Sequence, residues 1–472
     1  MIHKSLLSVI LVLGLIATAC GSDSSATAGT GGTGGTGGTG GTGGTGFQPP
    51  EFGTWVKYEP EGAICSDGSP YKFWVEFSET SDNVIVFFQG GGACWDYESC
   101  SGASGIRGAA NRNGLRDDYA EAHANIAGID VNVNQVYPLL NSDPDVSPMA
   151  DWNKVFVPYC TGDIYGGTRT ETYANPNPDE PDLEFHHVGH LNILKMTEML
   201  DEMFTDVPRM FVGGCSAGGV GALVNYYFLR TGITGVQKGY LLDDSGPAFP
   251  SKEPTSRSLP LYDTIRPAWG VDQVIDSAPQ SEVLRDDFGQ LSGILADEFP
   301  DDRLATTFFR MDYNFSLYSY ERFYERDGDT IVPYTGTGIG LDQDVALDRA
   351  AVHSLFWDDI PLFRDLADTK SNFGYYIPFY RTTNDSHCVT VPGFEEVSIG
   401  EALNLFQNDF GSLAWLGSEI GDMNLRDYVE NLLNDDEPLE SHFEEEGEGP
   451  YVPCTPPPNF NAGECEAAVN PG

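Results

Sequence analysis

The sequence predicts an α/β fold, a mostly parallel sheet flanked by helices in a single large domain with insertions. Three observations predict it. Short uninterrupted apolar runs, such as Asn83-Val-Ile-Val-Phe-Phe-Gln89 and Val155-Phe-Val-Pro-Tyr159, read as strands covered on both faces. Stretches with apolar residues at helical spacing, Leu191 to Phe204 and Val220 to Leu229, alternate with them, the pattern of crossover units that build a parallel sheet. From Phe47 to Leu433 the composition stays globular and rich in Phe, Tyr and Trp without an internal linker, so one domain is the simplest account.

The chain opens on Lys4 and an apolar run from Leu6 to Ile16, too short for a permanent membrane helix but suited to the core of a signal peptide. That run ends Ala17-Thr18-Ala19-Cys20, which resembles a bacterial lipoprotein processing site. Residues 1–20 are therefore expected to direct export and Cys20 to carry a lipid, the only membrane attachment expected. Ala17 stands where such sites usually have Leu, and this leaves ordinary secretion as the other outcome. Residues 21–50 are almost wholly Gly, Thr and Ser as far as Gly46, with no apolar surface to offset ordering, and read as a flexible tether. The folded body is expected over 51–450, followed by a Pro-rich tail, 451–472, that holds two cysteines.

With 71 acidic against 25 basic residues, the net charge is −46. No basic patch of useful size can be assembled from it, which excludes nucleic acid as a partner. Acidic runs such as Asp435-Asp436-Glu437 and Glu444-Glu445-Glu446 read as a solvated face rather than as metal ligands. Of nine cysteines, eight remain once Cys20 is set aside, an even number that suits disulfides in an exported protein. Short separations suggest Cys94–Cys100 and Cys454–Cys465, and no pair has the C-x-x-C spacing of a zinc site.

Chemistry concentrates at Arg209-Met-Phe-Val-Gly-Gly-Cys-Ser-Ala-Gly-Gly219. A short apolar strand, Met210 to Val212, runs into Gly214-Cys215-Ser216-Ala217-Gly218, which fits the G-x-S-x-G elbow. There a sharp strand-to-helix turn lifts a serine hydroxyl above the sheet edge, and flanking glycines permit positive φ and close backbone approach. The helix that follows presents its N-terminus to charge developing beside Ser216. Earlier in the chain, the strand ending at Gln89 runs into Gly90-Gly91-Gly92-Ala93-Cys94-Trp95. Bare N–H groups in such a string can approach a developing alkoxide.

A serine hydroxyl needs a base, and the base an acid that holds its tautomer. Of eight histidines, His387 follows the late strand Tyr375 to Tyr380, where the order Ser…Asp…His places a base; Pro378 inside that strand suggests an edge position or a bulge. Asp312, after the strand Thr306 to Arg310, is the expected acid; Asp244, after the strand Gly239 to Leu242, is the other candidate. Asp163 and Tyr165 follow the strand ending at Tyr159 and are candidate pocket residues. His186 and His190 have i, i+4 spacing but no H-E-x-x-H glutamate, so packing at a helix start is expected rather than a metal.

Together, Gln89-Gly-Gly-Gly-Ala-Cys-Trp95, Asp151-Trp-Asn-Lys-Val-Phe-Val-Pro-Tyr-Cys160, Gly214-Cys-Ser-Ala-Gly-Gly219, Asp243-Asp-Ser-Gly246, Asn384-Asp-Ser-His387 and Leu425-Arg-Asp-Tyr-Val429 resemble the pectin acetylesterase family, which includes Notum-like serine esterases. The resemblance runs from Trp55 to Leu433. It implies an α/β-hydrolase-like sheet carrying Ser216 as nucleophile, His387 as base and Asp312 as acid. It also implies oxyanion donors at the backbone N–H of Gly91 or Gly92 and of Ala217, with Trp95 bordering the acyl pocket. It suggests a Cys65–Cys160 bridge and leaves Cys215–Cys388 undecided. Ser104 to Val146 and Tyr313 to Lys370 stand out as insertions that shape the approach of substrate. The expected function is an exported serine esterase that cleaves O-acyl, most simply O-acetyl, esters of a polysaccharide, with no metal or organic cofactor. The alternatives are a lipid or protein deacylase of the Notum type and a surface binding module that keeps the fold without catalysis. Pectin itself is a polyanion that so acidic a chain repels, which favours another acylated polysaccharide or O-acyl ester.

Overall fold

The computed structural model describes residues 47–102, 108–126, 129–328, 330–334, 347–380, 386–391 and 420–445. The signal segment with Cys20, the tether up to Gly46, Asn384 and Asp385, and the tail with Cys454 and Cys465 lie outside the described residues.

One sheet organises the body. Its strands, in chain order, are β1 (Trp55–Tyr58), β2 (Phe73–Glu76), β3 (Val84–Phe88), β4 (Asn153–Val157), β5 (Val207–Cys215), β6 (Val236–Asp244), β7 (Arg303–Thr307), β8 (Phe373–Ile377) and β9 (His442–Phe443). In space they run β1-β2-β4-β3-β5-β6-β7-β8-β9. β1 and β2 pair antiparallel, as do β2 and β4, and every pairing from β4 to β9 is parallel. The expected α/β architecture, mostly parallel and flanked by helices, is what the chain adopts.

Continuous burial explains the uninterrupted apolar runs. Along β3, Val84, Val86 and Phe88 enter the core on one face of the sheet and Ile85 and Phe87 the core on the other. The first face is covered by α1 (Gly189–Met203), through Ile193, Met196 and Leu200, and by α2 (Ala217–Gly232), through Ala222, Leu223 and Leu229. The second is covered by the helix Leu425–Leu433, whose Leu425, Tyr428, Val429 and Leu432 are buried at helical spacing. Each such side chain contributes roughly 1.5–3 kcal/mol when fully buried. Asn424 starts that helix by accepting the Asp427 N–H at 2.9 Å.

Three expected elements shift. β7 covers Arg303–Thr307, not Thr306 to Arg310, because Leu304 pairs with Phe373 and Tyr240 with Arg303. β8 covers Phe373–Ile377, so Pro378 lies just past the strand; β8 sits between β7 and β9 rather than at the edge. The expected insertion Tyr313 to Lys370 is in part core. It contains the helix Arg349–Ala367, which buries Val352, Phe356 and Phe363 on its way from β7 to β8.

Candidate active site

The elbow forms where the C-terminal ends of β3, β5 and β6 converge. β5 ends at Cys215, and Ser216 takes φ 59° and ψ −125° before α2 begins at Ala217. This is a conformation a side-chain-bearing residue holds only when its surroundings impose it. They do so through backbone contact: the Ser216 N–H donates to the Asp244 carbonyl at 2.7 Å. A Cβ on Gly214 would meet the carbonyls of Phe88 and Gly218 at 2.5 Å, and one on Gly218 would overlap the Phe88 carbonyl. Those glycines are there because three backbones meet with no room for side chains.

The glycine string runs beside the elbow. Gly91 has φ 147° and Gly92 φ 74°. The Gly91 carbonyl accepts the Ala110 N–H at 2.9 Å, so a residue of the first expected insertion braces the string from behind. Gly92, Trp95, Ser216 and Ala217 all line one cavity, whereas Gly91 is not among its walls. Trp95 is held between Phe323 and Trp269, with ring centroids at 5.7 and 6.5 Å, and the Arg322 guanidinium lies 5.3 Å over its face. The Cys94–Cys100 bridge, as expected from its short span, closes the turn in which Trp95 sits, and the Trp269 indole N–H donates to the Cys94 carbonyl at 2.7 Å.

His387 is brought to the same rim. Its Nδ1 lies 2.8 and 2.9 Å from the two carboxylate oxygens of Asp312. Asp312 is fully buried and follows β7; its carboxylate also accepts the Phe315 N–H at 2.8 Å, capping the helix Tyr313–Ser316. Asp244 is engaged elsewhere. Its carboxylate accepts the N–H groups of Val389 and Thr390 at 2.9 and 2.8 Å and the Thr390 hydroxyl at 2.6 Å. The Ser245 hydroxyl accepts the Cys388 N–H at 3.0 Å. Asp244 thus fastens the backbone just after the histidine, while Asp312 holds its ring. The undecided Cys215–Cys388 pair is a disulfide that joins the residue before Ser216 to the residue after His387. One ring nitrogen of His387 lies within 4.8 Å of both its sulfurs. Cys65–Cys160 is bridged as well, with Cα atoms 5.2 Å apart.

The cavity beside Ser216 has a volume of about 80 Å³. Its walls are mainly apolar: Trp95, Val220, Phe249, Ile265, Trp269 and Phe288. Sequence reasoning found Trp95 but missed the wall supplied by Phe249 and by the helix Leu259–Trp269, for which no motif gave a signal. Phe315, Tyr318 and Ser319 complete it from the segment expected to shape the approach of substrate.

Asp163 and Tyr165 have structural duties instead of pocket ones. Asp163 accepts the Gly189 N–H at 2.7 Å at the start of α1 and the Thr161 hydroxyl at 2.6 Å, and burial pushes its carboxyl up to about 6. The Tyr165 hydroxyl donates to the Gln89 carbonyl at 2.8 Å. His190 bonds Asn225 at 2.8 Å, and His187 bonds the Thr161 carbonyl at 3.0 Å. Both serve packing around the start of α1.

Comparison with known proteins bears on this arrangement. The model of the pectinacetylesterase family matches residues 53–277, which hold the glycine string and the elbow but neither Asp312 nor His387. Pectin acetylesterase 4 of Arabidopsis thaliana is 29% identical over 178 residues, 37% of this chain and 38% of that protein. The palmitoleoyl-protein carboxylesterase NOTUM of Mus musculus is 29% identical over 166 residues, 34% of this chain and 28% of that protein. The matched stretches thus span about a third of these relatives' length. A structure of the Wnt deacylase Notum from Drosophila aligns with 76% of this chain and 94% of its own, at 17% identity and a TM-score of 0.44. Over residues 53–277, with the string and the elbow inside them, the chain is thus similar to the pectinacetylesterase family.

Proposed function

We propose that the protein is a serine carboxylic-ester hydrolase. Ser216 attacks the acyl carbonyl while His387 takes its proton, and Asp312 holds the imidazole in the tautomer that can accept it. The backbone N–H of Ala217, with that of Gly92 or Gly91, donates to the tetrahedral oxyanion. His387 then protonates the departing alcohol, and water, activated by the same histidine, releases the acyl group from Ser216. This chemistry calls on no metal or organic cofactor.

One observation carries the reading: the Asp312–His387 pair at 2.8 Å is bridged, through Cys388 and Cys215, to the serine at the mouth of an apolar cavity. The substrate is an O-acyl ester, with an acylated polysaccharide as the favoured alcohol and acetyl as the smallest acyl group. The apolar walls, from Trp95 and Val220 to Phe249, Ile265, Trp269 and Phe288, extend beyond what acetyl can contact, and this specific observation supports a second reading, removal of longer acyl chains. Three disulfides among the described residues fit an oxidising compartment and support export. No helix among the described residues is long and apolar enough to cross a membrane, and attachment through Cys20 stays part of the proposal.

Nitrophenyl esters of increasing chain length test both readings. Hydrolysis that vanishes in Ser216→Ala supports the esterase, and the chain length with the highest kcat/KM names the acyl group. Hydrolysis unchanged in Ser216→Ala would refute it.

A further inference from the structure

We infer that the Cys215–Cys388 disulfide is a positioning device for the proposed reaction, a covalent clamp that keeps the histidine loop in register with the nucleophile elbow. The inference rests on the serine esterase reading and adds to it the pair of residues that hold the two reacting side chains together.

Nucleophile and base come from distant parts of the domain's sequence, and the bridge closes a separation of 173 residues. It does so at the positions immediately flanking them: Cys215 is the last residue of β5, directly before Ser216, and Cys388 directly follows His387. Three successive strand ends therefore hold the short segment 386–391. Beyond β7, Asp312 takes the His387 ring; at the end of β6, Asp244 and Ser245 take the N–H groups of Cys388, Val389 and Thr390; at the end of β5, the disulfide takes Cys388 itself. The first two ties orient the histidine relative to β6 and β7. Only the third of these refers it to β5, the strand that carries Ser216. Both bridged residues are buried, at 5% and 4% exposure, and Ser386 and Cys388 take φ 53° and 63°, a turn the loop keeps under constraint on both sides of the histidine. Proton transfer from Ser216 tolerates little displacement of the ring, and an error of about 1 Å costs on the order of 100-fold in rate.

Two measurements test the clamp. In the first, Cys215→Ala/Cys388→Ala is compared with the parent and with Cys65→Ala/Cys160→Ala, which removes a bridge away from the site. The clamp predicts a kcat roughly 10- to 100-fold lower in the former, with KM within about 2-fold because the cavity walls are untouched, at temperatures where circular dichroism reports a folded chain. The control pair keeps its kcat although its melting temperature falls. In the second, the folded parent is treated with dithiothreitol, one aliquot is alkylated and mapped, and the rest is left unalkylated for assay and reoxidation. Dithiothreitol gives two electrons and two protons, the S–S bond is replaced by two thiols, and the reagent closes to its cyclic disulfide. Loss of kcat should track opening of Cys215–Cys388 rather than of the other bridges, and return when air reoxidises that pair. The reduction arm needs no variant to fold. A double variant or a reduced chain with kcat within about 2-fold of the parent overturns the clamp and leaves the esterase standing. A parent that hydrolyses no ester and is not labelled at Ser216 overturns both.

Discussion

Replacing Asp312 with Asn separates the proposed acid from its competitor. The substitution keeps size and the acceptor oxygen that caps the Phe315 N–H, so the helix Tyr313–Ser316 should stay in place. It removes the second carboxylate oxygen now 2.8 to 2.9 Å from His387 Nδ1 and puts an amide donor in its stead. Nδ1 must then accept instead of donate, which moves the proton to Nε2 and leaves that nitrogen unable to take one from Ser216. The same change in a serine protease triad lowers kcat by about 10⁴-fold, or about 5.5 kcal/mol at 1.36 kcal/mol per tenfold. A fall of 10³- to 10⁴-fold in kcat for nitrophenyl acetate is expected, with KM and the urea midpoint nearly unchanged. Asp244→Asn should behave in the opposite way. Asp244 serves the N–H groups of Val389 and Thr390 and the Thr390 hydroxyl, and one acceptor oxygen survives the change. Stability should drop by about 1–3 kcal/mol for each buried donor left without a partner, while kcat falls less than about 10-fold. If Asp312→Asn retained kcat within 10-fold, or if kcat collapsed in a folded Asp244→Asn instead, the assignment of the acid would be refuted.

Other predictions follow from buried charge. Burial holds His123 and His190 down to about 4 and His187 and His353 to about 3, below the ordinary value of 6.5. The unfolded chain therefore takes up protons first, so their contribution is complete above about pH 6.5 and is lost as pH falls toward 4. Asp163 and Asp359, both raised by burial from 3.8 to about 6, act oppositely and lose their contribution as pH rises between those values. Burial raises Asp243 and Asp244 as well, so four carboxyls oppose the four histidines and the test is a difference: relative to the parent, His353→Phe should lose less stability toward acid, by up to about 1.4 kcal/mol per pH unit below pH 6.5, in urea unfolding. A pH dependence identical to that of the parent would contradict the burial of His353. Lys154 and Glu76 face each other across β4 and β2 at 2.6 Å, both largely buried. Lys154→Met should cost about 3–5 kcal/mol by leaving the buried Glu76 carboxylate without its cation, with only the Asn134 amide and Ser142 hydroxyl to bond it, and Glu76→Gln in the same chain should recover much of it; urea unfolding of the single and double variants checks both statements. Gly218→Ala should abolish folding or activity, since its Cβ would overlap the Phe88 carbonyl; soluble, fully active Gly218→Ala would show that the elbow relaxes.

The elbow and the glycine string were legible because their glycines answer a local demand, close backbone approach at a strand end, that leaves its mark in sequence. His387 and Asp312 were legible through chain order and their places after strands, and the structure brings their side chains into contact. Strand limits were less so. β7 begins at Arg303, whose guanidinium donates to the Asn431 and Glu437 carbonyls, so a charged residue starts a buried strand while the apolar Phe308 and Phe309 fall beyond its end. Gly374 in β8 hid the start of that strand in the same way. The cavity walls were not legible at all. Phe249, Ile265 and Phe288 carry no motif, and they converge only because the segment after β6 folds back over α2. Nor did spacing show that Cys215 would meet Cys388, since a contact across 173 residues is a property of the assembled sheet.

The central claim is that Ser216 is an activated nucleophile. Intact-mass analysis after exposure to a fluorophosphonate tests it most directly. One adduct per chain, mapped to Ser216, absent in Ser216→Ala and formed far more slowly in His387→Ala, is the predicted result. A folded chain that takes up no reagent, or carries it on another residue, would contradict the account.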